Sequence, residues 1–523
     1  MKRIAIYDTT LRDGAQAENV AFSLLDKLAI ARRLDELGVD CIEGGYPLSN
    51  PKDASFFEEI RQKPLRRAQL VAFGNTRRAN AATADDAGVR ALIEAGTSVV
   101  TLVGKSWDLH VRDVLRVSLD ENLAMIRDTV AYLKERGKAV FFDAEHFFDG
   151  FAHNRAYALS AIRVAEEAGA DAIVLCDTNG GTLSAALRAT VRAVRPLVRV
   201  VLGVHAHDDA GLAVANTLAA VEEGATQVQG TINGIGERCG NADLCAVIPN
   251  LALKMGYQVL PPGGVQQVTN VSRFLYQIAN LNSPQRQPYV GANSFAHKGG
   301  LHVDAVQKIA RSYEHVDPKL VGNERRILIS ELAGTSAIMA KARMLGARID
   351  RATSRRILDA VQKLENEGYE FEAAEASFQL LVRKALGTHR QFFQLEGFRV
   401  IVEKRGGDLG PISEATVKLT VGGQTRLTVS EGDGPVHALD GALRAALDEF
   451  YPQLKGIRLV DYKVRIVNPR AATAARTCVV IESTDGQDVW GTVGVSDNII
   501  EASWQALIDS IEYVLLQEEP GKG

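Results

Sequence analysis

The chain has 523 residues, too many for one ordinary compact domain, and its 46% hydrophobic and 24% charged residues are the balance of a folded globular protein. Lysine and arginine number 60 against 64 acidic residues, a formal net charge of -4, which gives no electrostatic case for nucleic acid or an anionic membrane as partner. The N-terminal apolar run in MKRIAIYDTT is too short for a signal peptide and no other run approaches a membrane span; five cysteines, odd in number and without a CxxC pair, argue against a disulfide scaffold or zinc ribbon and fit a reducing cytoplasm.

Over the first 255 or so residues, short apolar runs alternate with helical patterns. The expected strands are Arg3–Tyr7, Val39–Ile42, Gln69–Phe73, Ser98–Val103, Lys138–Phe142, Ala172–Leu175, Val200–Val204 and Thr226–Gln229. Between the first two lies LLDKLAIARRLDELG, with Ser23 placed to cap its start and Gly38 to end it. The runs are rich in Val, Ile and Leu with little alternation, as parallel strands buried on both faces require. Eight strand–helix pairs predict an α/β fold, a (β/α)8 TIM barrel over 1–262, with a doubly wound open sheet as the rival.

Polar residues cluster after these runs: Asp8, Arg12 and Asp13; Glu43; Asn75; Asp143 and Glu145; Asp177 and Thr178; His205, His207, Asp208 and Asp209; then Asn233, Glu237 and Asn241. In a barrel those loops share one face, where the catalytic centres of such barrels sit.

After Pro261-Pro262 the rhythm changes. Residues 263–400 read as helical linker subdomains, interrupted by the Gly-rich segment SFAHKGGLHVDA. Residues 401–523 read as an α+β domain with duplicated strand–helix units. EATVKLTV and DYKVRIV alternate as half-exposed strands, each followed by an amphipathic helix, one carrying Val436, Leu439, Leu443, Leu447 and Phe450, the other Trp504, Leu507, Ile508, Ile511 and Leu515. Neither unit carries a catalytic constellation.

The strongest chemical signal is His205-Ala206-His207. Residues two apart on a strand share a face, so two imidazoles leave strand seven on one side as half of a metal site. Asp13, arriving from strand one, a near neighbour of strand seven in a closed eight-stranded barrel, can complete it, and Asn241 can contribute directly or through water. This donor set suits Mn²⁺, Zn²⁺, Co²⁺ or Mg²⁺ with a position left for substrate; the bland alternative is a pair of hydrogen-bonded residues lining the barrel mouth. Arg12 offers a permanent cation for an alkoxide or carboxylate, or else a salt bridge to Glu43. Glu145 and Thr178 are placed to position a substrate, Thr178 equally to cap a loop. The loop Gly230–Ala242 suits close backbone approach to a ligand, and Cys239 within it is expected as a small buried thiol. His297 and His302 lie outside the barrel and on their own read as surface histidines.

DTTLRDGAQ, HAHDDAG and GTINGIGERCGNADL resemble the 2-isopropylmalate synthase, homocitrate synthase and citramalate synthase family; IEGGYPLSNPKD, FDAEHFFDG, VLCDTNGGT, SFAHKGGLHVDA and GVSDNIIEASWQAL look most like its citramalate branch. The resemblance covers essentially the whole chain. It implies a divalent metal held by Asp13, His205 and His207 with Asn241 close by, Arg12 polarising a keto oxygen, and Thr178 holding a 2-oxo acid carboxylate. It implies Glu145 and His302 deprotonating the acetyl-CoA methyl beside Tyr313. It further implies condensation of acetyl-CoA with pyruvate, a C-terminal regulatory domain inhibited by isoleucine, with leucine second, and a homodimer whose subunits share active sites. Asp143 departs from other members, some of which carry an aromatic residue near this wall, and leaves the side-chain pocket of the 2-oxo acid unassigned. The closest rival is a 2-isopropylmalate synthase using 2-oxoisovalerate. Arg112 and Arg116 keep a homocitrate-type distal carboxylate open; a hydroxymethylglutaryl-type lyase or a non-catalytic amino-acid sensor explains less of the chain.

Overall fold

The computed structural model describes residues 2–330, 333–344, 346–404, 406, 410–467 and 475–517. The chain forms two compact units, one of 1–295 with 316–324, the other of 296–315 with 325–523.

The first unit is built on eight strands: β1 (Ala5–Asp8), β2 (Cys41–Gly45), β3 (Gln69–Asn75), β4 (Val99–Lys105), β5 (Ala139–Glu145), β6 (Ala172–Asp177), β7 (Val201–Ala206) and β8 (Gln227–Gly230). Each pairs in parallel with the next and β8 pairs with β1, so the sheet is a closed barrel and not an open doubly wound one. Parallel neighbours need crossovers. These are α1 (Leu24–Leu37), α2 (Pro51–Gln62), α3 (Ala87–Glu94), α4 (Leu119–Glu135), α5 (Phe147–His153), α6 (Arg155–Glu167), α7 (Ser184–Val194) and α8 (Ala213–Glu222); α9 (Leu244–Pro249) and α10 (Val268–Ile278) follow β8. Helix α1 starts as its sequence predicts. Ser23 accepts from the Asp26 amide while Asp26 accepts from the Ser23 amide, and Gly38 closes the helix at φ 92°. Its Ile30, Ala31, Leu34 and Leu37 face the core.

Every expected strand is present, but each runs one to three residues further than its apolar run. The extra residues include Glu43, Asn75, Asp143, Glu145 and Asp177. Their polarity makes them look like loop in the sequence; they are the upper ends of strands whose inward row changes character. Low in the barrel that row is apolar, with Tyr7, Cys41, Val71 and Val99 clustered against Ala139 and Phe141. Two residues further up, the same row carries Glu43, Phe73, Thr101 and Asp143. The outward row, including Ile6, Ile42, Leu102, Phe142, Leu175 and Val204, packs in the main core.

In the second unit β9 (Ala296–His297) pairs in parallel with β10 (Arg326–Ile327). Helices α11 (Gly300–Lys308), α12 (Thr335–Met344), α13 (Arg351–Asn366) and α14 (Glu375–Leu386) follow in order around this pair, with Val303, Ile338, Ile357, Val361 and Phe378 in one core. Then a module occurs twice: β11 (Phe393–Glu403), β12 (Ile412–Val421), β13 (Gln424–Gly432) and α15 (Pro435–Leu447); and β14 (Arg458–Ile466), β15 (Thr477–Thr484), β16 (Val489–Ser496) and α16 (Ile499–Gln517). Each has a three-stranded antiparallel sheet and a helix, and Leu439, Leu443, Trp504 and Ile511 meet in a shared core. The duplication is larger than the sequence pattern: EATVKLTV lies in the central strand of the first sheet, whereas DYKVRI lies in β14, an edge strand of the second. Pro261-Pro262 precede α10, which packs in the first unit's core, and residue 400 falls within β11. No helix among the described residues is long and apolar enough to cross a membrane.

Candidate active site

A cavity of about 250 Å³ opens at the carboxyl ends of the barrel strands, lined by residues including Arg12, Asp13, Asp143, Glu145, Thr178, His205 and His207. The ligand atoms of Asp13, His205 and His207 lie within 4.8 Å of one another, and all three side chains are buried. Asp13 Oδ2 is 3.6 Å from His205 Nε2 and 3.9 Å from His207 Nε2. Asn241 Nδ2 donates to Asp13 Oδ1 at 3.1 Å, while Asn241 Oδ1 and His207 Nδ1 are buried without a hydrogen-bond partner. Burial opposes ionisation of Asp13, but Arg12, His205 and His207 outweigh it and hold the carboxyl at about 2. Burial pushes both imidazoles down, His207 to about 4 with His205 adding to the effect. At neutral pH the cluster is therefore one carboxylate and two neutral imidazoles, the state in which these groups ligate a cation. Orphaned buried acceptors cost free energy unless something fills the gap, so the donor set and its unmet lone pairs fit a divalent ion.

Arg12 makes the expected salt bridge to Glu43 and also lines the cavity. Its Nε donates to Glu43 Oε2 at 2.5 Å and its Nη1 to Asp13 Oδ2 at 3.0 Å, with the guanidinium 4.0 Å over the Phe73 ring. Glu43 is itself fixed by Thr9 and by Tyr7, whose hydroxyl donates at 2.6 Å and lies 2.8 Å from Thr101 Oγ1. Burial disfavours the Arg12 cation, but Glu43 and Asp13 keep it charged. The salt bridge thus aims the cation beside the metal cluster without removing it from the cavity.

Thr178 Oγ1 accepts from the His146 amide at 2.9 Å. That leaves its own proton free for a ligand, so the loop-capping and substrate roles are compatible. His146 adopts φ 55°, a left-handed conformation immediately after Glu145. Glu145 accepts from Lys105, its register neighbour on β4. Asp143 is pushed up to about 8 by burial and by Glu43. The remaining wall includes Phe73, Val103 and Cys176; burial and Asp143 raise the Cys176 thiol well above its usual range, making it an inert surface.

Several expected polar residues do other work. Asp8 accepts from Thr10, Asp177 from Thr182 and Asp208 from the Ala213 amide, so all three order loops. Asn233 accepts from Ser272 and Gln287. Cys239 is exposed, not buried as expected; the buried thiol of this region is Cys245. Arg238 binds Asp209 at 2.7 Å and the Thr178 carbonyl at 2.7 Å, tying three strand-end loops together. Arg112 sits 3.8 Å from Asp108, and neither it nor Arg116 lines the cavity. In the second unit, His297 lies 3.1 Å from Glu314, which also binds Arg325. His302 is exposed and stacks on Tyr313 with ring centroids 4.3 Å apart. Sequence reasoning missed Tyr7, Phe73, Lys105 and Gln229; their common signal is the inward parity they share with Glu43, Asp143 and His205.

The HMGL-like family matches residues 3–280, the homocitrate synthase post-HMGL domain-like family residues 289–369, and the LeuA allosteric (dimerisation) domain residues 372–515. The chain is 51% identical to an (R)-citramalate synthase of Geobacter sulfurreducens, covering 100% of this chain and 99% of the relative. It is 51% identical to that of Aquifex aeolicus, covering 99% of each, and 52% identical to that of Synechocystis, covering 98% and 96%.

Proposed function

The chain belongs to the (R)-citramalate synthase family, and from that premise we propose how its own residues join acetyl-CoA to pyruvate. The overall reaction adds acetyl-CoA and water to pyruvate and releases citramalate and CoA; 2-oxoisovalerate as the acceptor is not favoured. The observation that carries the mechanism is the convergence of Asp13, His205 and His207, with the orphaned Asn241 Oδ1, beside the cationic Arg12.

Asp13, His205 and His207 would hold a divalent ion, with Asn241 hydrogen-bonded to Asp13. Such an ion would supply Lewis acidity toward the 2-oxo acid. Arg12 faces the keto oxygen and stabilises negative charge there as the carbon–carbon bond forms. Thr178 donates its free hydroxyl proton to the pyruvate carboxylate. A thioester methyl is a weak carbon acid, so a positioned base is required. Glu145, aimed by Lys105, takes that role together with His302, with Tyr313 stacked on the imidazole. The methyl gives its proton to this base, its carbon attacks the keto carbon, the alkoxide formed takes up a proton, and water then cleaves the thioester to release CoA, which makes the sequence irreversible in practice.

The donor set suits Mn²⁺, Mg²⁺, Zn²⁺ or Co²⁺. We assign catalysis to the barrel of 1–262, linkage to 263–400 and regulation, with isoleucine as inhibitor, to 401–523. Five cysteines without a CxxC pair support a reducing cytoplasm as its compartment. The decisive experiment measures CoA release from acetyl-CoA with a panel of 2-oxo acids, before and after chelation. One added methylene in an apolar pocket changes binding by only about 1–3 kcal/mol, so exclusion of the branched acid relies on a pocket too small for it. Expected is a higher kcat/KM for pyruvate and full loss on chelation with recovery on Mn²⁺. A preference for 2-oxoisovalerate, or turnover in chelated buffer, refutes the reading.

A further inference from the structure

The two histidines of the cluster are not held alike. His207 Nδ1 is buried with no hydrogen-bond partner. His205 Nδ1 lies 3.0 Å from the side-chain oxygen of Gln229, which is its register partner on β8. The same amide's nitrogen donates to Asp143 Oδ1 at 3.1 Å, crossing the barrel interior from β8 to β5. Gln229 is fully buried and Asp143 nearly so.

An amide has two chemically different ends, and its neighbours decide which faces where. With the nitrogen committed to a carboxyl oxygen, the amide oxygen must face His205. An oxygen acceptor there requires the ring proton on Nδ1. The lone pair of Nε2 is then left on the side of Asp13, whose Oδ2 is 3.6 Å away. We propose that Asp143 and Gln229 form an orienting relay that fixes the tautomer and ring angle of His205 for divalent metal binding. Gln229 is thus a positioning residue acting through a ligand, whereas His207 Nδ1 has no such partner. Outer partners of ligating histidines commonly change metal affinity by about 10–100-fold when removed.

The inference rests on Asp13, His205 and His207 being the ligands, and the test separates the two. Metal-free full-length chain is titrated with Mn²⁺ alone by calorimetry. Wild type that binds no Mn²⁺ overturns the ligand assignment and the relay with it. Given binding, Gln229→Met is expected to raise Kd by about 10–100-fold. Asp143→Ala is expected to weaken binding in the wild-type background and to add little to Gln229→Met, because both act through one chain of bonds. Mn²⁺ affinity of Gln229→Met within twofold of wild type overturns the relay, as do fully multiplicative effects of the two substitutions. Where a variant fails to fold, the ring ¹⁵N shifts of metal-free wild type, assigned against His205→Ala, stand alone. A proton on Nδ1 supports the relay, and a proton on Nε2 overturns it.

Discussion

Asp143 has a raised pKa because burial and Glu43 act in the same direction, while Arg12 and Gln229 only partly compensate. Its carboxyl titrates at about 8 in the folded chain, against an ordinary value of 3.8. Between those values the folded chain holds a proton that the unfolded chain has lost. Stability from this group is therefore fully present below the unfolded value and is lost as pH rises through the folded one. Asparagine is neutral at every pH and escapes that loss. The Tm of metal-free Asp143→Asn, relative to wild type, should rise steadily from pH 5 to pH 9. Parallel Tm curves for the two proteins would show that Asp143 is ionised throughout or is no more buried than an ordinary carboxylate. Residues of this kind were half legible in the sequence. Asp13, His205, His207, Arg12, Glu145 and Thr178 could be picked out as polar residues at strand ends, and all six line one cavity. Asp8, Asp177 and Asp208 carried the same signal yet order loops. Spacing along the chain does not tell a carboxylate that accepts from its own loop from one that faces the lumen. Gln229 and Tyr7 were missed for the opposite reason: an amide or phenol in an apolar run looks like barrel filling until its cross-barrel partner is known.

At the level of elements, the apolar runs located all eight barrel strands because parallel strands buried on both faces leave few polar interruptions. Their upper ends were lost where polar residues begin. Helix termini were legible wherever the cap is local. Ser23 and Asp26 bond each other's amides at the start of α1, which needs no tertiary information. Ser23→Ala removes one accepted bond and should cost about 1 kcal/mol. For a domain of this size that is a fall of roughly 2–4 °C in Tm, with kcat/KM unchanged because the cap lies outside the cavity-lining set. A fall in activity at full folding would mean that α1 is coupled to the site. In the second unit, alternation marked β12, whose Ala415, Val417, Leu419 and Val421 are buried. It left β15 and β16 unmarked: Cys478 to Ile481 and Trp490 to Val495 are buried in unbroken runs, so burial does not alternate with position. The duplication was visible through its helices, α15 and α16, whose apolar stripes follow helical spacing.

For the whole molecule, the twofold module without chemistry and its match to an allosteric (dimerisation) domain support a regulatory role. Citramalate leads toward isoleucine, so a millimolar isoleucine titration should inhibit the enzyme, with binding seen by calorimetry; unchanged activity and no heat would end that proposal. His302 and Tyr313 raise a different question. They sit stacked and exposed on the second unit, beside Leu301 and Ile309, which are 85% and 65% exposed. Large apolar side chains around a histidine mark a surface that is covered when it works. We propose that it serves the barrel of a second copy in a homodimer. Asp13→Asn should abolish metal binding in its own barrel, and His302→Ala should remove the base that a chain lends to its partner. Each chain is then inactive alone. In a mixed dimer one barrel keeps Asp13 and receives an intact His302, while the other lacks both. Random exchange makes half of the dimers mixed, so recovery should approach about a quarter of wild-type activity if the sites act independently. Mixed dimers, proven by differently tagged chains, that stay inactive would return His302 to its own barrel or remove it from the reaction.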